Sequence, residues 1–320
     1  MVTLDDIRAA KALLQGIASH TPLYEWTGAA DQRKLFLKLE NLQPIGAFKL
    51  RGAYNKVASL TNEERRRGVI SYSSGNHAQG VAYAARALGV KAIIVMPGNA
   101  PKNKLDATAA LGAEIVTVGP GSEERRLRAE QLAAEYGYVI VPPYNDEKII
   151  AGQGTVGLEI LEDLPNVETV LVPVGGGGLI SGVSAAIKLT NPKVKVIGVE
   201  PALAADAQAS LRAGRIVSFP AEQVSQTLAD GLRTQSIGAI NFEHICAYVD
   251  DIVSVTEDEI RETMMALSAN AKTVAEPSGA VAPAAFLFHA EELPRTNVNM
   301  AVISGGNIDP KLLAELRDRG

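Results

Sequence analysis

A lysine amine attacks a carbonyl only after it has lost its proton, and desolvation lowers its pKa towards that condition. Lys49 sits in small, apolar company in the run Gly46-Ala47-Phe48-Lys49-Leu50-Arg51-Gly52. The ordinary alternative is a solvated surface lysine with its stem laid along apolar surface, so its partners decide between the two. Gly175, Gly176, Gly177 and Gly178 follow an apolar run ending at Val174 and precede a helical pattern. Their N–H groups can converge at a helix N-terminus, where the dipole favours an anion such as phosphate. Taken alone, the same run is equally a tight strand-to-helix turn. Two further junctions, Ser73-Ser74-Gly75-Asn76-His77 and Ser304-Gly305-Gly306-Asn307, are also small and rich in hydrogen-bonding groups. A phosphate cradle together with a Schiff-base lysine is what pyridoxal phosphate requires.

Other chemistry finds little to stand on. Ile180 and Ser181 occupy the last-glycine positions of a G-x-G-x-x-G pattern, and no Gly-Lys-Ser/Thr follows the glycines, so neither dinucleotides nor nucleoside triphosphates are indicated. No H-E-x-x-H, G-x-S-x-G or S-x-x-K occurs. Of the four histidines, His20, His244 and His289 show no paired spacing and are taken as structural or surface residues. The single cysteine, Cys246, forbids an internal disulfide and a thiolate-rich metal site, and is expected to pack as a small apolar residue. Glu200 and Asp206, six residues apart, are by spacing alone surface charges.

The elements that must hold these groups alternate between short β-branched runs and longer helical segments, as parallel βαβ units do. Strands are predicted at Leu35–Leu39, Val69–Tyr72, Ala92–Met96, Glu114–Val118, Val139–Val141, Val170–Val174, Lys195–Val199, Ile252–Val255 and Ala301–Ile303. Helices are predicted at Ala78–Leu88, Lys102–Ala110, Glu123–Glu135, Lys148–Glu162, Ile180–Leu189, Asp258–Ala269 and Gly279–Phe288. In open parallel sheets ligands bind beyond the carboxyl ends of the strands, where all three junctions fall. No Pro/Ser/Gly linker cuts the chain, so a second domain is expected as an insertion, leaving near Arg67 and returning near Asn145.

A chain of 320 residues is long enough for two domains or one large α/β unit, and 47% hydrophobic with 21% charged residues is a globular balance. A net charge of −5 leaves no basic surplus for a nucleic-acid backbone, so no nucleic-acid partner is expected. The uncharged stretch Thr169 to Ile187 could span a membrane by length, but Pro173 and the four glycines break it, and no membrane association is expected. Met1 to Ala18 lacks the apolar segment of a signal peptide, which favours a cytoplasmic location.

Six motifs together carry a resemblance that runs over nearly the whole chain: the Lys49 heptad, Ser73–His77, Gly152-Gln153-Gly154-Thr155, the four glycines, Ala229-Asp230-Gly231 and Ser304–Asn307. The chain resembles the fold-type II pyridoxal-phosphate enzymes of the serine racemase and serine/threonine dehydratase family. That resemblance implies an α/β, tryptophan synthase β-like fold: two interleaved three-layer α/β/α domains with mostly parallel sheets. Residues 1–67 plus 146–320 would form the large cofactor-binding domain, and 68–145 the small, inserted, substrate-side domain.

Carried over by position, Lys49 would form the Schiff base to the cofactor and act as base at Cα. Phe48 would lie against the pyridine ring and Asn76 would bond its 3-oxygen. Gly175–Gly178 would hold the phosphate, Gly231 and Glu276 would border the cofactor, and Ser304 would face the pyridine nitrogen. A hydroxyl there donates a hydrogen bond but cannot keep the nitrogen fully protonated as a carboxylate would, which favours prompt β-elimination over transamination. Ser73, Ser74, Asn76, His77, Arg125 and Thr234 match substrate-side positions, and Arg125 also reads as part of a solvated helix face. Ser74 matches the acid/base that racemases place opposite the lysine. Glu200, the Ala204 carbonyl and Asp206 match a divalent-cation site whose oxygen ligands suit Mg²⁺ or Ca²⁺. Ile45, Ala47 and Tyr144 depart from the family pattern, whereas Glu276-Pro277-Ser278-Gly279 resembles its racemase version.

The reaction so implied is a pyridoxal-phosphate-dependent dehydratase, or ammonia-lyase, acting on L-serine, L-threonine or 3-hydroxyaspartate to give a 2-oxo acid and ammonia. The alternative is a serine or aspartate-type racemase with side dehydratase activity, and a third reading is a non-catalytic phosphate-ligand binder using only the glycines. A homodimer is also implied. Because the catalytic unit of the family takes nearly all 320 residues, isoleucine feedback through a C-terminal regulatory domain is not expected.

Overall fold

The computed structural model describes residues 1–27, 33–73, 75–98, 100, 102–119 and 121–318. Among the described residues ten strands form two sheets: β1 (Leu23–Trp26), β2 (Lys34–Leu39), β3 (Val69–Tyr72), β4 (Ala92–Pro97), β5 (Glu114–Val118), β6 (Val139–Ile140), β7 (Thr169–Pro173), β8 (Lys195–Pro201), β9 (Asp251–Val255) and β10 (Val298–Ile303). The six-stranded sheet runs β1-β2-β10-β7-β8-β9, and the four-stranded sheet β5-β4-β3-β6. All neighbours are parallel except β1 and β2. The mixed α/β fold with mainly parallel sheets is the one read from the sequence.

The predicted strands reappear within a few residues, and β1 is added. Leu23-Tyr24-Glu25-Trp26 buries only Trp26, so it lacks the alternation that marks a half-buried strand. Helices absent from the sequence reading include Leu4–Leu13, Lys49–Ala58, Asp206–Ala213 and Ala239–Tyr248. Cys246 is a correction: it is exposed, because the helix Ala239–Tyr248 turns Asn241, His244 and Ile245 inward and Cys246 outward. The Thr169–Ile187 stretch is strand, glycine turn and helix, and among the described residues no helix is long and apolar enough to cross a membrane.

Each sheet has a topological switch, where the strand order reverses: β8 and β9 lie on one side of β7, with β10 on the other, and β4 and β5 lie on one side of β3, with β6 on the other. In the larger sheet it lies between β7 and β10, paired through Met300 and Val170. In the smaller it lies between β3 and β6. The four junctions that follow these strands carry the glycine run, Ser304–Asn307, Ser73–His77 and Pro143-Tyr144.

Helix Lys49–Ala58 lies between the sheets, packed on helices Asn76–Leu88 and Glu147–Asp163. A Cβ on Gly152 would stand 2.6 Å from the Arg51 carbonyl oxygen and the Gly52 Cα, so only glycine permits this helix crossing. The crossing is fastened by a network shut away from water. The Arg51 guanidinium donates to Glu40 (2.8 Å), to Glu159 (2.6 and 2.8 Å) and to Thr155 Oγ1 (3.0 Å). Lys38, with none of its surface exposed, joins Glu159 at 2.6 Å and donates to the Thr21 carbonyl. Burial alone would raise Glu40, but Arg51 alongside holds its carboxyl below the usual range. Removing one member of such a network leaves buried charge uncompensated. Arg51→Met is therefore expected to lower the unfolding free energy by about 3–5 kcal/mol in urea denaturation. A loss below about 1 kcal/mol would mean that the pair behaves like an exposed one.

Candidate active site

Lys49 opens its helix, preceded by Phe48 in a helical conformation. Its Nζ donates to the Pro143 carbonyl at 2.8 Å, at the carboxyl end of β6, and stands 5.2 Å from the centre of the Phe48 ring. Burial lowers the amine's pKa to about 8. The lysine motif is stitched to the junction after β10: Phe48 N donates to Ser304 O (3.1 Å), Gly306 N to Gly46 O (2.9 Å), and Ala47 bridges Gly305. Ser304 is buried, and its Oγ donates to the Ser278 carbonyl at 3.3 Å.

Asn76 opens helix Asn76–Leu88, and its amide spans the gap between the sheets. Its Nδ2 donates to Glu276 Oε1 at 2.6 Å, while its Oδ1 accepts from Asn307 Nδ2 at 2.8 Å. Asn307 donates also to the Ile45 carbonyl. Burial, reinforced by the charge of Asp230, pushes the Glu276 carboxyl up to about 7. Gly305 admits this arrangement because a Cβ there would stand 2.3 Å from Glu276 Oε1.

The glycine run turns from β7 into helix Gly178–Thr190, with Gly177 at φ +92°, a conformation that disfavours side chains. The first N–H groups of that helix have no partner within it. Three residues brace the turn: Tyr144, a departure from the family pattern, and Gly238 and Asn241, which lie outside every motif. The Tyr144 ring lies on Gly176, where a Cβ would come within 2.2 Å of the ring. Gly238 N donates to Gly176 O at 3.2 Å. Asn241, fully buried, packs its Cβ against Gly177 and reaches the Tyr144 carbonyl and Ser181 with its amide. Burial pushes the Tyr144 phenol up to about 12, so it stays neutral.

The remaining predicted residues divide. Ser73 Oγ accepts from Gly75 N at 3.3 Å at the same junction as Asn76. Ser74 lies outside the described residues. His77 is buried with Nε2 3.0 Å from the Val141 carbonyl, and burial with the nearby Lys49 charge lowers its pKa to about 3. The ring is therefore neutral, with Nε2 committed to the Val141 carbonyl and Nδ1 buried without a partner among the described residues, so what His77 offers an anion is its main-chain N–H. Arg125 is half-buried in the first turn of helix Ser122–Tyr136, and burial lowers its pKa. The Thr234 hydroxyl is shut away from water with no hydrogen-bond partner among the described residues. Gly231 N donates to Ser278 Oγ at 3.0 Å, which places it beside Ser304. His20 and His289 pair with surface carboxylates, and His244 accepts from the Val2 N–H in the interior.

At the end of β8, Glu200 is buried and accepts from Ala207 N (3.0 Å) and Gln208 N (2.8 Å). Ala204 ends a 3₁₀ turn, and Asp206, also buried, opens the next helix with no close hydrogen bond to either carboxylate oxygen among the described residues. Burial raises both acids, Asp206 to about 7, and the Asp206 charge raises Glu200 further. Among the described residues no cluster of three or more His, Cys, Asp or Glu side chains forms a metal site. A cation here would be held by two carboxylates and the Ala204 carbonyl.

A partly desolvated amine, a side-chain-free turn at a helix N-terminus and an orphaned Thr234 hydroxyl fit an aldehyde cofactor bearing a phosphate. Residues 14–305 match the family described as pyridoxal-phosphate dependent enzyme, and the chain belongs to it. It is 48% identical to the L-threonine ammonia-lyase of Thermotoga maritima (strain MSB8) over 329 aligned residues, covering all of this chain and 79% of that protein. It is 42% identical to the catabolic L-threonine dehydratase of Escherichia coli (strain K12), covering 98% and 96% of the two chains. The structure of maize serine racemase superposes with a TM-score of 0.94 at 36% identity, covering 99% of this chain and 97% of that one.

The lowered amine pKa has a direct test. Burial favours the neutral form, so near pH 8 about half of Lys49 is unprotonated, against under about 1% of an ordinary lysine. Competitive acetylation of the cofactor-free protein, read by mass spectrometry, should show Lys49 reactivity rising through pH 8. A midpoint near 10.4, the ordinary lysine value, would remove the desolvation argument.

Proposed function

We propose that this chain is a pyridoxal-phosphate-dependent ammonia-lyase that takes a small β-hydroxy amino acid, L-threonine foremost and L-serine or 3-hydroxyaspartate by the same route, to a 2-oxo acid and ammonia. The observation that carries the reading is the Lys49 amine, partly neutral near pH 8 and held on the Pro143 carbonyl between the two switch points. The bound cofactor supplies an electron-withdrawing ring that acidifies the substrate Cα–H. Lys49 would anchor the cofactor and, as a base, take that proton on Nζ. Gly175–Gly178 would hold the phosphate with main-chain N–H groups, with Tyr144 behind them. Asn76, fixed by Glu276 and Asn307, would donate to an oxygen on the ring, while Phe48 covers the ring and Ser304 meets its nitrogen as a neutral hydroxyl. Ser73 and the free N–H groups of helix Asn76–Leu88 suit the substrate carboxylate.

Lys49→Ala holoprotein should lose about 10²–10⁴-fold in production of 2-oxo acid from L-threonine. Turnover at the wild-type rate would end the proposal. A second reading, racemisation, draws on the Ser74 match and the buried Glu200–Asp206 pair. Its measurement is D-serine by chiral chromatography after incubation with L-serine, where no excess over a Ser74→Ala control dismisses it.

Glu200, the Ala204 carbonyl and Asp206 would bind Mg²⁺ or Ca²⁺, which relieves the repulsion of two buried carboxylates. A ligand of the native state stabilises it by mass action. Chelation should lower the melting temperature, and added Mg²⁺ or Ca²⁺ should restore it; an unchanged melting temperature would exclude the site. The reading includes a division into 1–67 with 146–320 and an inserted 68–145, supported by the smaller sheet's lying wholly between Val69 and Ile140. It includes a homodimer, favoured by the exposed Leu42 and Val274, whose carbonyl accepts from Asn41 beside Leu42, and a cytoplasmic location.

A further inference from the structure

Lys104 lies on helix Lys102–Ala110, which packs on β5 and on the Asn76 helix and so belongs to the unit built on the smaller sheet. Its amine is paired with the carboxylate of Asp230, which opens a 3₁₀ turn, Asp230–Leu232, against helix Pro277–Phe288 on the other side of the cleft. The next residue, Gly231, donates to Ser278 Oγ, and the Ser278 carbonyl accepts from Ser304. The pair thus bears on the segment that holds Ser304 in place. Both charges also reach Glu276, where Asp230 pushes the carboxyl up and Lys104 draws it down.

We propose that Lys104 and Asp230 form a tie across the mouth of the site that holds helix Lys102–Ala110 down while substrate is bound, a positioning pair for the lyase reaction proposed above, on which this inference rests. The lysine side chain is 19% exposed and the aspartate 38%. An ion pair so near solvent shifts an equilibrium only a few-fold. That strength suits a contact made and broken in each turnover, when closure retains substrate and opening releases product. The desolvated Arg51 network, by contrast, would hold permanently.

The experiment uses holoenzyme carrying Lys104→Met, Asp230→Asn, or the exchange Lys104→Asp with Asp230→Lys. Each single variant should raise KM for L-threonine about fivefold with kcat within about twofold, and the exchange should recover most of the loss. Hydrogen exchange of the 102–110 peptide should quicken in both single variants and slow again in the exchanged one. Sodium chloride should raise the wild-type KM but not that of the single variants. Single variants with wild-type KM and wild-type exchange would overturn the tie. So would an exchanged protein as impaired as the singles. If wild type turns over none of the β-hydroxy amino acids, the lyase reading fails instead, and peptide exchange still decides whether the tie exists.

Discussion

The position of one amine depends on a guanidinium two residues away. Arg51 keeps its proton under all ordinary conditions, and in the interior it can be accommodated only where carboxylates surround it. Glu40 and Glu159 do so from opposite sides, one just beyond β2 and the other on helix Glu147–Asp163, with Lys38 completing the charge balance. The helix that begins at Lys49 is therefore fixed in translation by charge and in separation by the contact of Gly52 with Gly152. An amine held this way keeps its place among apolar neighbours, and its low pKa follows from that confinement.

Around this fixed point the two sheets bring their switch points together. The junctions after β7 and β10 come from one sheet, and those after β3 and β6 from the other. The Asn76 amide and the Pro143 carbonyl are where the two meet. Each group is held by a neighbour whose own freedom is gone: Asn76 by Glu276 and Asn307, the Gly176–Gly177 turn by Tyr144 and Asn241. Supporting contacts of this kind give a site its precision.

Much of this was legible in the sequence because the chemistry demands unusual residues in short spans. A lysine among small residues, four successive glycines and an Asn at a strand-to-helix junction are visible without a fold. The parallel strands were visible too, through their β-branched runs. Asn241 and Gly238 gave no such signal, since an asparagine and a glycine become braces only when a turn some sixty residues earlier in the chain is folded against them. The Arg51 network was hidden for the same reason, its partners lying 11 and 108 positions away. β1 escaped because an edge strand with one buried residue carries no pattern, and the contact of the His77 ring with Val141 joins residues 64 positions apart that no local pattern links.

The separation of the Arg51 network from the cleft has an evolutionary corollary. The helix that carries the amine is fastened through Glu40, Glu159 and Gly152, none of which lies in the four junctions, so replacements along those junctions leave that fastening in place. A scaffold wired in this way can vary the residues of its junctions by small steps that each leave the helix of Lys49 in place.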